Sequence, residues 1–180
     1  MFSCGAYHSA HLSIAVETVS RAFVHVVMAQ IARMSKLISA RHTDLPLFLA
    51  IPGANSNGFA PYMKIAESLV AEIGHLAMPV PIWPSVNADG SEDILSNAMT
   101  SANALNQIAE LGQKLSAIEM IMASQALELR GQNQKIDPSV ASSVKDEYWA
   151  VREIVETLKA DRPAGEEIER LAACLMDRKY

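Results

Sequence analysis

"LNQIAELGQKLSAIEMIMASQALELRG", Leu105 to Gly131, spaces its apolar residues at intervals of three and four. Leu105, Ile108, Leu111, Leu115, Ile118, Met122 and Leu129 fall on one stripe of an α-helix. The pattern predicts a helix from near Ser91 to about Arg130. At about 1.5 Å per residue, some 40 residues would run roughly 60 Å. That is longer than a compact domain of this size, so the helix is expected to cross a larger assembly. "RGQNQ" ends it, with Gly131 able to take the left-handed cap.

Working outward, Ser9 to about Arg41 reads as another long helix. Leu12, Val16, Val19, Phe23, Val27, Ile31, Met34 and Ile38 recur every three or four residues, and Val24, Val26 and Met28 add apolar surface on other faces. Burial on more than one side is expected. "DLPLFLAIPGANSNG" breaks the pattern with Pro46, Pro52, Gly53 and Gly58. A helix from about Ala60 to Ala77 follows. Pro79, Pro81 and Pro84 then forbid helix. Beyond Gly131, Asp137-Pro138 reads as N-cap and first-turn proline of a further helix. Tyr148, Val151, Ile154, Val155 and Leu158 form its stripe, and a last short helix carries Ile168, Leu171 and Leu175. Alternating β-branched runs are absent. The expected fold is all-α, a long-helix bundle, with residues 1–180 forming a single helical domain.

The 180 residues are 50% apolar and 19% charged, against about 25% charged in a typical soluble domain. Some apolar faces are therefore expected to meet another chain. A net charge of −5 without a basic block argues against nucleic acid. Cys4 and Cys174 do not make a disulfide framework, and a reducing, cytoplasmic compartment fits them. No stretch of about 20 residues lacks charged or polar groups, so no membrane span is expected. "MFSCGAYHSAHLS" lacks the basic start and apolar run of a signal peptide.

The acids Glu92 and Asp93 in "GSEDILSNAM" are the main chemical candidates. With Ser91 as N-cap, they suit the positive end of a helix. The alternative is a carboxylate held beside a cleft. The residues alone favour the first reading. Cys4, His8 and His11 lack the further ligands and the supporting shell that zinc needs, so no metal is expected. "GANSNG" has no Lys-Ser/Thr after it and no strand before it, so it reads as a structural turn rather than a phosphate loop. Met28, Met120 and Met122 read as core filling.

Five stretches in order resemble the C-terminal part of the histidine ammonia-lyase family, within the aromatic amino-acid lyases and aminomutases. "GAYHSAHLSIAVETV" resembles the family's Gly-Asn-Phe-His segment and the helix after it. "LPLFLAIPGANSNGFAPYMKIAESLVAEIGHLAMPV" resembles its Leu-Pro loop, Asn-Ser-Gly-Phe turn and next helix. "GSEDILSNAMTSANAL" resembles the Gln-Glu-Asp segment opening a central helix. "AIEMIMASQALELRG" and "YWAVREIVETLKADRPAGEEIERLAACL" resemble its last two blocks.

The resemblance implies a mostly helical tetramer with active sites between subunits. It implies elimination of ammonia from an aromatic amino acid, or a shift of the amine. The electrophile would be a methylidene-imidazolone made from an internal Ala-Ser-Gly. On this reading Glu92 falls on the family's active-site glutamate, Tyr7 on an aromatic position beside the electrophile, and His8 next to it. Ser91 stands for the usual Gln, and Met78 for a frequent His; both depart from the histidine-specific pattern. Ala-Ser-Gly occurs nowhere in the sequence. The electrophile is therefore expected only on a separate N-terminal part. The expected partners are that lyase polypeptide or further copies of this chain, with a small amino acid as substrate. A split gene, a truncated form and an inactive remnant all fit this chain.

Overall fold

The computed structural model describes residues 8–80, 83–131 and 140–177, with the backbone alone of residues 83–86, of Glu92 and Asp93, and of Asp177. Six helices occur among them: α1 (Ala10–Leu37), α2 (Ala40–Thr43), α3 (Ala60–Leu76), α4 (Ala98–Arg130), α5 (Ser142–Ile154) and α6 (Gly165–Asp177). Between α3 and α4 lies a two-stranded antiparallel hairpin, β1 (Trp83–Asn87) and β2 (Glu92–Leu95). The fold is the expected helical bundle with this one small departure.

α4 is the spine. It packs against α1, α3, α5 and α6. At 33 residues it runs about 50 Å at a rise of about 1.5 Å per residue. Its buried stripe includes Ile108, Leu115, Ile118, Ile121 and Met122. α3 adds Tyr62, Met63, Ala66 and Ile73, and α6 adds Leu171.

α1 and α4 run parallel. Partner residues rise together along the two chains: Gln30 with Ser116 at 3.1 Å, then Arg33 with Glu119 at 2.6 Å. Between these and the hairpin, Phe23 crosses α4 at Gly112. A Cβ at Gly112 would stand 2.6 Å from the Phe23 ring, so the missing side chain is what allows the approach.

The stripe expected on α1 is only half inside. Val27 and Met34 are fully buried, whereas Leu12 and Val19 are 52% and 53% exposed. Met28 is exposed as well and does not fill the core. The buried face instead carries Ser13, Ser20 and Gln30. Within one chain, α1 shows α4 its polar side and leaves much of its apolar side outside. α1 is also the one helix among the described residues long and apolar enough to cross a membrane, which qualifies the expectation drawn from sequence. Its buried polar face and its ion pair with Glu119 are those of a bundle helix.

Three further expectations need correction. The helix does not start at Ser91. Ala88, Asp89 and Gly90 all have positive φ, of 49°, 55° and 83°, and Asn97 has φ 51°. No right-handed helix passes through such residues, so α4 starts only at Ala98. Asp-Gly between two short runs is a strong hairpin signal, and Asp89-Gly90 was the overlooked one. Pro84 is tolerated because a two-stranded hairpin is all edge. Gly131 has φ −73° and ψ 143°, so α4 ends in extended backbone rather than a left-handed cap. α5 starts at Ser142, and the cap expected at Asp137-Pro138 lies outside the described residues.

Candidate active site

Of the residues singled out from sequence, His8 lies just before α1, and Ser91 and Glu92 lie at the turn end of the hairpin that leads into α4. Tyr7 lies outside the described residues. His8 is half-buried immediately before α1. Ser91 is exposed in the turn of the hairpin, its N–H donating to the Ala88 carbonyl at 3.2 Å. It caps no helix. Glu92 opens β2 opposite Asn87. Neither Glu92 nor Asp93 is in the first turn of α4, which contains no acid at all. Glu92 and Asp93 are therefore not helix-start acids.

Three residues of α1 and its lead-in hold this junction. Ser9 Oγ and Ser96 Oγ share a hydrogen bond of 2.6 Å. The Ser13 hydroxyl donates to the Ser96 carbonyl at 2.7 Å. Glu17 Oε1 accepts from the Val80 N–H at 3.1 Å and from the Ser101 hydroxyl at 3.1 Å. The chain after β2 is thus fastened beside His8. Four residues of strand, about 13 Å at about 3.3 Å each, separate Ser96 from Glu92.

A second polar cluster, not foreseen from sequence, lies under α5. Glu128 Oε1 accepts from the Tyr148 hydroxyl and from Arg152 Nε, each at 2.6 Å. The Thr157 hydroxyl lies 2.9 Å from Glu128 Oε2. Arg152 Nη2 is buried without a hydrogen-bond partner, and its guanidinium carbon lies 5.6 Å from the centre of the Tyr148 ring. A cation over an aromatic face accounts for that placement. The cleft beside it is lined by two acids, Glu128 and Glu156, and two bases, Arg152 and Lys159. Such a balance selects no ligand charge. The sequence signal was available: Glu128 sits on the buried face of α4, and Tyr148 and Arg152 are one helical turn apart.

Neither well-placed tyrosine is poised as a base. Burial, then the hydrogen bond from Tyr148 to Glu128, pushes the Tyr148 phenol above its ordinary range. Burial and the nearby Glu167 charge push Tyr62 up to about 12. A general base needs a pKa near the working pH. Both phenols are protonated there, and they donate to Glu167 and Glu128. Among the described residues no group of three or more His, Cys, Asp or Glu could hold a metal.

Comparison with known proteins gives this geometry a context. A family model described as aromatic amino acid lyase matches residues 1–153. The histidine ammonia-lyase of Geobacillus kaustophilus is 30% identical over 177 residues, taking in 98% of this chain and 34% of that protein. That of Gloeobacter violaceus is 29% identical, taking in 96% and 33%. Among solved structures, ergothionase from Treponema denticola superposes with a TM-score of 0.88 at 24% identity, over 97% of this chain and 34% of its own. Tyrosine aminomutase from Streptomyces globisporus gives 0.80 at 26%, over 97% and 32%. The chain spans about a third of the length of the curated relatives it matches.

Proposed function

Because this chain belongs to the aromatic amino acid lyase family, we propose that it supplies the C-terminal part of an active site shared between polypeptides. The reaction is elimination of ammonia from an amino acid. Glu92 is the carboxylate at that site, steering the substrate's ammonium or binding its side chain. Tyr7, His8 and Ser91 are the residues beside the substrate. The observation that supports this reading is the junction itself: Ser9 and Ser13 fasten the end of β2 beside His8, joining the lead-in of α1 to the strand that opens at Glu92.

The catalytic electrophile of such a site does not fit this chain. The sequence contains no Ala-Ser-Gly from which to build it, and the two buried tyrosines are protonated donors. The electrophile, and the base such an elimination needs, lie outside these 180 residues, and no step through that group is assigned to them. The setting is the cytoplasm.

Assembly has its own support. Leu12, Ala15, Val19, Ala22, Val26 and Ala29 are all exposed on α1. They alternate large and small at heptad spacing, a seam suited to another helix at close range. An uncovered apolar seam of this kind marks an interface. It equally favours a second reading, a catalytically silent helical protein that associates through the same face.

One experiment separates the two: native mass spectrometry of the complex captured with this chain from its source. A partner about twice this chain's length, carrying the water loss of electrophile formation, supports the lyase. Ammonia release that falls in Glu92→Gln, with assembly intact, places the carboxylate. Complexes containing only copies of this chain, with no ammonia release, overturn the catalytic reading and leave the silent one.

A further inference from the structure

Among the described residues, the segment 77–97 joins α3 to α4 without α-helix, and its regular structure is the two-stranded hairpin with a short 3-10 turn, Ala88–Gly90, between its strands. An isolated hairpin is marginal in water. Something else must hold it in place, and the observations point to one ridge of α1. Ser9, Ser13 and Glu17 lie four residues apart along one helical line. Each reaches the hairpin segment or its flanks. Ser9 and Ser13 take Ser96 on the exit side. Glu17 takes Val80 on the approach side and Ser101 in the first turn of α4.

We infer that Glu17 is the positioning residue of this hairpin: one carboxylate oxygen clasps the chain before β1 to the start of α4. The placement of Glu92 as a functional group rests on the lyase reading; the clasp does not. Two features make Glu17 the keystone of the ridge. It alone of the three bridges both flanks, so its loss frees the approach to β1 from α4. It also puts a carboxylate at the N-terminal end of α4, where the helix favours negative charge and α4 supplies no acid of its own. Ser13 and Ser101 are each 2% exposed. Buried hydroxyls need partners, so the polar ridge has one low-energy register. An apolar ridge would let the hairpin slide.

Both hydrogen bonds end on the same oxygen, Oε1. This makes the clasp separable from the charge. Glu17→Gln keeps an acceptor oxygen at that reach and removes the charge. Glu17→Ala removes both. Ser101→Ala removes one partner and leaves the carboxylate, which keeps the question answerable if Glu17→Ala does not fold.

The test is amide hydrogen exchange of the full chain, read residue by residue. Losing one such bond is worth about 1.4 kcal/mol, or roughly tenfold in local opening. In Glu17→Ala the Val80 amide and the β2 amides exchange about tenfold faster, while Leu171 in α6 is unchanged. Glu17→Gln lies between Ala and the parent, because it keeps the acceptor and loses the charge. Ser101→Ala falls between. Val80 exchange that is unmoved in Glu17→Ala overturns the inference, and so does a Gln variant no better than Ala. In the assembled enzyme, Glu17→Ala lowers kcat and Gln restores part of it. A clear exchange effect with no ammonia release from any form keeps the clasp and sinks the lyase reading. Unchanged exchange with intact turnover does the reverse.

Discussion

Glu128 on α4 and Arg152 on α5 close an ion pair of 2.6 Å with both side chains more than nine-tenths buried. The same carboxylate takes the hydroxyls of Tyr148 and Thr157. This cluster ties α5 and Thr157 to the spine. Removing one charge strands the other in the interior, at a cost of about 3–5 kcal/mol. Arg152→Ala and Glu128→Ala should each show that loss in urea unfolding. The double change Glu128→Leu with Arg152→Met should recover part of it, because no lone charge is left buried. A single variant with parental stability would show that the pair is not held as described.

The turn before α3 makes a second prediction. Gly58 has φ +54°, and a Cβ there would stand 2.5 Å from the Phe48 carbonyl oxygen. That neighbour is backbone and cannot swing away. Gly58→Ala should cost at least about 1–3 kcal/mol, the usual penalty for a strained backbone site. Gly53 has φ +83° but open space around it, so Gly53→Ala should cost less. Thermal melts of the two variants give the order directly.

Asp161 closes the same turn from a distance of over 100 residues. Its carboxylate accepts from the Asn57 N–H at 3.0 Å and from the Ser56 hydroxyl. The backbone N–H of Asn57, then the Ser56 hydroxyl, holds its pKa below the ordinary value. A depressed carboxylate contributes stability above its unfolded pKa and loses it as pH falls through the folded one. The Asn57 amide signal should therefore shift only below the ordinary carboxylate range. In Asp161→Asn that titration should vanish. A midpoint at the ordinary value would refute the clasp.

Tyr62 carries the alkaline counterpart. Its phenol is raised to about 12 by burial first and by Glu167 second. A raised pKa contributes stability below the unfolded value of about 10, and that stability is lost as pH rises through the folded one. Unfolding free energy should decline between these two values. Tyr62→Phe should flatten the decline, because it has no proton to lose. An ultraviolet titration showing all four tyrosines ionising together near 10 would contradict this.

The helical periods of 60–76, 105–130 and 165–177 are carried by side chains a few residues apart, which is why the helices and the α4 core were legible as pattern. The Asp89-Gly90 turn was legible too, but its strands are too short to alternate visibly. Glu128 could be flagged as an acid on an apolar stripe. Asp161 could not: its partners are about 100 residues away, and no local rule joins them.

Local sequence, then, determined that the chain is built of helices, where the buried stripe of α4 runs, and that much apolar surface stays exposed. Periodicity is a short-range property, and it survives whatever the rest of the molecule does. The tertiary structure decided which face of α1 is inside and which acid serves the start of α4. From sequence the acids at that helix start were Glu92 and Asp93. In the fold, positive φ at residues 88–90 and 97 turns that stretch into a hairpin, and Glu17, from α1, reaches the first turn of α4 instead. A helix end attracts any carboxylate that can reach it, and which one can reach it is set by how α1 and α4 lie side by side.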